Sequence, residues 1–156
     1  MTIIPLPFAK SIQASIAKFL EPENLLAGNQ KFCSICERNT DTLRDTDICD
    51  CPHVLFLTIM RYQFGGSQAT RIDKTITCEE RISVLVKSDD VISVVLHYKL
   101  AVQICHQCGF KQGHYSANIS GNGKWFRCND ESLALLPKTQ TQQQTCLRFS
   151  VHKNLM

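Results

Sequence analysis

The sequence predicts an α+β fold, mainly antiparallel sheet with a short helix near the N-terminus, and three observations carry that expectation. Ile12, Ile16, Phe19 and Leu20 recur at helical spacing between Ser11, a good N-cap, and Pro22, a stop. Later segments alternate in the manner of sheet strands, as in Lys74–Cys78, Arg81–Val86 and Tyr98–Ile104. Gly121-Asn122-Gly123 joins two further segments with the positive-φ residues that a short hairpin loop requires.

In chain order, Thr2–Phe8 reads as a strand carrying two prolines, which confines it to a sheet edge. After the helix, Cys33-Ser34-Ile35-Cys36 has the spacing of a zinc knuckle, in which two thiolates approach one tetrahedral ion, and is half of such a site. Cys49 and Cys51 could complete it locally; the competing reading makes them unpaired structural thiols. Val54–Tyr62 is nearly continuous in apolar residues after Pro52 and is expected to be a core strand covered on both faces.

Gly65-Gly66-Ser67-Gln68 forms a loop, and a turn at Ser88-Asp89-Asp90 leads to a strand over Val91–Val95. In one continuing strand, Tyr98, Leu100, Val102 and Ile104 should share a face, with Lys99, Ala101, Gln103 and Cys105 on the other. Cys105-His106-Gln107-Cys108 invites a metal reading, but no second cysteine pair is placed to complete a site. Leu133–Pro137 is expected to pack back on the core. Gln140–Thr145 reads as a polar loop without fixed structure, and Leu147, Phe149 and Val151 alternate once more as a closing strand.

Composition bounds the function. With 156 residues and 44% hydrophobic content the chain can bury one core, so a single domain is expected over residues 1–156. A net charge of +3 from 17 basic and 14 acidic residues, dispersed along the chain, argues against a nucleic-acid partner. Met1–Pro7 lacks the basic start and apolar run of a signal peptide, and no stretch has the length of a transmembrane helix. The expectation is therefore an intracellular protein with no membrane partner. Nine cysteines, an odd number, then read as free thiols or metal ligands rather than a disulfide framework.

The chemistry converges on the hairpin. A three-residue loop centred on Asn122 sets His114 opposite Asp130, and a one-residue bulge would set it opposite Asn129. Side chains so paired lie about 4.5 to 5.5 Å apart at Cβ. An imidazole facing a carboxamide or carboxylate has one ring nitrogen fixed as a donor, leaving the other to accept a proton. That is a general base in need of a nucleophile, which in cysteine hydrolases is a thiol.

Gly113-His114-Tyr115-Ser116-Ala117, followed by Lys124-Trp125 and Asn129-Asp130, resembles the histidine box of the ubiquitin-specific proteases, a papain-like family of deubiquitinating enzymes. Tyr98–Val102, then His106 and Gly109, resemble the strand and loop that precede that histidine. The resemblance implies that His114 is the general base, Asn129 its orienting partner and Asp130 an adjacent acidic support. It also implies that His106, Gly113, Tyr115 and Trp125 bind substrate. Cys33 and Cys36 resemble one of two cysteine pairs of the family's zinc-bearing fingers, a possible structural zinc, while the reaction itself requires no cofactor. In the strand Val54–Tyr62, Met60 stands where the family usually has lysine.

The resemblance divides the chain into a fingers-proximal part and core strand over about 2–62, a palm with the histidine box over 63–137, and a polar loop with closing strand over 138–156. It covers Thr2–Val151 but only the carboxy-terminal half of a complete protease domain. The implied partners are ubiquitin or ubiquitinated proteins, in the cytoplasm or nucleus. None of the nine cysteines has the context of the family's nucleophile, so three functions compete. They are a portion of a deubiquitinase that hydrolyses conjugates after ubiquitin's terminal glycine, a catalytically silent ubiquitin-binding or regulatory module, and a structural β-domain unrelated to ubiquitin.

Overall fold

A computed structural model describes residues 3–65, 68–87, 93–107, 113–137 and 142–143. The first strand, β1 (Ile3–Pro7), leads into the helix α1 (Ile12–Phe19). Ser11 caps α1 with an extended backbone, its Oγ accepting from the Ala14 amide at 3.2 Å. A second cap comes from far along the chain: Glu79 accepts from the Ile12 and Gln13 amides at 3.1 and 3.4 Å. A carboxylate there answers both the unpaired amides and the positive end of the helix dipole. Gln13 then exchanges two hydrogen bonds of 2.9 Å with the Ser83 backbone, so one side chain completes a sheet-like pair between helix and strand.

Small hairpins follow. β2 (Glu23–Leu25) pairs with β5 (Thr42–Arg44), enclosing the finger-like pair β3 (Lys31–Cys33) and β4 (Arg38–Thr40). These strands bury little, with Phe32 and Ile35 exposed by 67% and 91%. β6 (Phe56–Met60) runs parallel to β1, in the register Ile3↔Phe56 to Pro7↔Met60. β1 pairs with β6 alone among the described residues, the edge position that Pro5 and Pro7 demand. The expected full coverage of the core strand is corrected: Leu57 and Ile59 are buried, whereas Met60 is exposed. Its apolar run includes a second face that is only partly covered.

Past β6 stands Arg61, a fully buried charge whose Nη1 donates to the carbonyls of Ile72 and Lys74 at 3.0 and 2.6 Å. Its guanidinium lies 5.3 Å from the centre of the Phe8 ring. It ties the base of the hairpin β7 (Tyr62–Gly65) and β8 (Gln68–Arg71) to the core. β9 (Ile76–Thr77), β10 (Arg81–Lys87) and β11 (Ser93–Lys99) then supply Ile76, Ile82, Val84 and Tyr98. These close one hydrophobic cluster with Leu6, Ile12, Ile16, Leu55, Leu57 and Ile59.

The chain breaks after Leu100, and the buried parity changes there. Tyr98 and Leu100 are buried before the break, and Gln103 and Cys105 after it. The expected single strand is thus two, since β11 pairs with β10 while β12 (Val102–Gln107) begins a separate four-stranded sheet. That sheet continues through β13 (His114–Gly121), β14 (Lys124–Asn129) and β15 (Ser132–Leu136). Leu133 and Leu135 do not pack back on the core as expected; they are 67% and 61% exposed on β15. Within the expected polar loop, β16 (Gln142–Gln143) pairs with β9. The closing strand over Leu147–Val151, Val91, Cys108 and Gly109 lie outside the described residues.

Cys78 gives the fold a pH signature. Burial first, then the charges of Glu79 and Cys105, push its thiol from the ordinary 9.0 up to about 12. The unfolded thiol ionises near 9 and the folded one only near 12, so stability complete below pH 9 drains away as pH rises between those values. Urea titrations from pH 8 upward, with Cys78→Ala as reference, should therefore show wild type losing stability faster than the variant. Parallel curves would contradict the assignment.

Candidate active site

The site is built by the β13–β14 hairpin. Asn122 and Gly123 have φ of 49° and 71°, the two positive values of a type I′ turn, and Gly121 pairs with Lys124 around them. The loop therefore holds two residues rather than the expected three, which shifts every opposition by one. By this count Ser116 faces Asn129, and His114, two residues on, lies diagonally across the same sheet face. Diagonal neighbours are about 7 to 8 Å apart, within reach of longer side chains. Asp130 falls outside that face, at the turn into β15 with φ of 50°.

The side chains meet accordingly. His114 Nε2 is hydrogen-bonded to Asn129 Oδ1. The Asp130 carboxylate is 3.9 Å from the same nitrogen and is 76% exposed, so it contributes a solvent-screened charge rather than an orienting bond. A carboxamide oxygen only accepts, so Nε2 carries the proton and Nδ1 keeps its lone pair for an incoming proton. Asn129 is itself fixed, its carbonyl accepting from Ser132 Oγ at 2.7 Å. Below the pair the same face is polar and closed: Asn118 Nδ2 donates to Gln103 Oε1 at 3.2 Å, and Arg127 Nη2 donates to Ser116 Oγ at 3.3 Å.

His106, Gly113 and Tyr115 adjoin His114 along the backbone, with the His106 and Tyr115 side chains on the other face of the sheet. The His106 ring stacks on Tyr115 at 4.5 Å between centroids, and its carbonyl accepts from Arg71 Nη2 at 3.2 Å. Trp125 does not join them. It pairs with Ser120 at the turn end of the hairpin and packs on the hydrophobic core, about 13 Å along the strand from Asn129. The sequence reading missed Ser116, Gln103 and Asn118, the buried polar floor, because small polar residues on a strand carry no local mark of burial.

No described cysteine is presented to His114 as a nucleophile. Cys128 neighbours Asn129 in β14, which turns its side chain to the other sheet face. Cys105 shares the His114 face but is only 1% exposed. A groove of about 620 Å³ lined by Pro5, Pro7, Phe19 and Met60 shares no residue with the site.

Cys33 ends β3 and Cys36 lies in the turn that leads to β4. The Cys36 amide, then that of Ile35 and the Cys36 side chain, hold the Cys33 thiol below its ordinary value. That suits a metal-binding thiolate, yet among the described residues no group of three or more His, Cys, Asp or Glu is placed to hold a metal ion. Cys51, half of the local completion, is buried in the core cluster instead. The residues described provide two of the four donors that a structural zinc needs.

Residues 17–149 match the family described as ubiquitin carboxyl-terminal hydrolase. The chain belongs to that family. Ubiquitin carboxyl-terminal hydrolase 15 of Arabidopsis thaliana is 24% identical over 88% of the chain and 15% of its own length. A probable ubiquitin carboxyl-terminal hydrolase 16 of Schizosaccharomyces pombe is 27% identical over 89% of the chain and 31% of its own length. The chain thus spans less than a third of the length of these ubiquitin hydrolases. In fold it is similar to a chain of the SAGA Ubp8/Sgf11/Sus1/Sgf73 DUB module bound to ubiquitin aldehyde, with a TM-score of 0.81 and 20% identity over 98% of this chain and 36% of that one. A yeast SAGA DUB module gives 0.82 over 98% and 35%.

The geometry separates Asn129 from Asp130. Asn129→Ala should abolish the slowly exchanging downfield Nε2 proton of His114 in proton NMR, and Asp130→Ala should keep it. Loss in Asp130→Ala with retention in Asn129→Ala would reverse the roles.

Proposed function

We propose that this chain carries the general-base part of a deubiquitinating cysteine protease site. His114 is the base, Asn129 the residue that orients it and Asp130 a weak electrostatic support. The single observation that carries this reading is the His114–Asn129 hydrogen bond, which frees Nδ1 while fixing the plane of the ring. In the reaction, the base would take the proton of a thiol, and the thiolate would attack the carbonyl carbon of ubiquitin's terminal glycine. His106 and Tyr115, whose side chains lie on the other face of the strand from the base, would contact bound ubiquitin from there.

The attacking thiol is not supplied by the described residues, so we assign the nucleophile to a separate portion of a complete domain. Acyl transfer without its nucleophile retains only the small rate that binding and oxyanion contacts provide. By itself the chain is then a ubiquitin-binding portion rather than a working hydrolase. A reducing compartment, cytoplasm or nucleus, suits the free thiols Cys33, Cys36, Cys49, Cys78 and Cys128. Among the described residues no helix is long and apolar enough to cross a membrane. A structural zinc at Cys33 and Cys36 would need donors from that other portion.

The test mixes the purified chain with a fluorogenic ubiquitin substrate, with a thiol-reactive ubiquitin probe, and with labelled ubiquitin, each beside His114→Ala. Ubiquitin should bind, with neither turnover nor covalent labelling. Labelling that depends on His114 would identify an internal nucleophile and overturn the division of labour. Absence of binding would remove ubiquitin as the partner.

A further inference from the structure

We infer that His106 is a positioning residue, whose ring occupies the side-chain space left open at Gly113 and so holds the backbone on both sides of His114. The inference rests on the reading of His114 as the base and adds the device that keeps it in place.

The hairpin alone leaves that end loose. The β13–β14 ladder stops at the Ala117↔Cys128 pair, three residues short of His114. On the other side, the β12–β13 ladder reaches His114 only as its terminal pair, with Gln107. A strand end so held frays readily. The base, however, must keep its ring plane within about 10 to 20° of the productive geometry.

The His106 ring supplies the missing restraint. It stacks on Tyr115 with centroids 4.5 Å apart and planes at 29°. Its far edge meets Gly113 so closely that a Cβ there would lie 1.9 Å from Nε2 and 2.8 Å from Cδ2. Only glycine leaves that seat vacant, and no positive φ is involved, so close approach is the reason for glycine here. The two residues that hold the ring, Gly113 and Tyr115, are the immediate neighbours of His114. Arg71 secures the other end of the clamp through the His106 carbonyl, at 3.2 Å.

The seat also yields a specific perturbation. Gly113→Ala can be accommodated by rotating the His106 side chain outwards, so it should evict the ring without dismantling the sheet.

The test reads the His114 tautomer in the full chain by long-range proton–nitrogen correlation on the neutral imidazole. Wild type should show one tautomer, with Nε2 protonated. His106→Ala and Gly113→Ala should both lose that single state and show exchange between tautomers, while His106→Phe, which restores a ring, should recover it. Amide shifts of Ser120–Trp125, at the far end of the hairpin, verify that each variant is folded. Should His106→Ala fail that check, Gly113→Ala carries the comparison.

An unaltered tautomer in folded His106→Ala or Gly113→Ala would overturn the inference, even with His114 confirmed as the base. Conversely, if ubiquitin assays show that His114 is not the base, a tautomer that responds to His106 still establishes the clamp. The two failures are therefore distinguishable.

Discussion

The two-residue turn at Asn122-Gly123 is the constraint on which the site depends. Its paired positive φ values match the right-handed twist of the flanking strands and fix Gly121 against Lys124. Everything at the open end of the hairpin is counted from there. Because side chains alternate with a period of two, a slip of one residue would send Asn129 to the other face of the sheet. The register therefore decides which residue, Asn129 or Asp130, holds the imidazole. It also turns Cys128, which adjoins Asn129 in sequence, away from the base.

The sheet behind the site is polar where a core would ordinarily be apolar. Gln103, Ser116 and Asn118 are almost fully buried. Burying such groups costs free energy unless they are paired, and the Asn118–Gln103 and Arg127–Ser116 bonds offset much of it. Asn118 Oδ1 retains no partner. The hydrophobic cluster draws on α1, β1, β6 and β10, where Glu79 and Gln13 staple the helix to the strands. One half of the chain thus supplies stability, and the other displays chemistry on strands anchored to it.

Legibility in the sequence followed the range of the interaction. The capped helix, the edge strand with its prolines and the hairpin were readable because Ser11, Pro5, Pro7 and Asn122-Gly123 act within a few residues of themselves. His114 and Asn129 were readable as a pair because one turn connects them, although the loop was counted one residue too long. Less accessible were features set by distant packing. Nothing local marks the break at Leu100, where the chain leaves one sheet and enters another. Nor does composition reveal that Gln142-Gln143 finds a strand partner in β9, or that Cys51 fills the core rather than a metal site. Trp125 was expected by resemblance to bind substrate, and local sequence carried no sign that its ring packs against the hydrophobic core.

The central claim is that a hairpin register brings His114 and Asn129 together on one face. Nuclear Overhauser contacts between the His114 ring and the Asn129 side-chain amide test it most directly, read with the cross-strand contacts of Ala117 and Cys128. The account predicts both sets, and no ring contact from His114 to Cys128. Contacts from the ring to Cys128 in place of Asn129 would mean a slipped register, and the site described here would not exist.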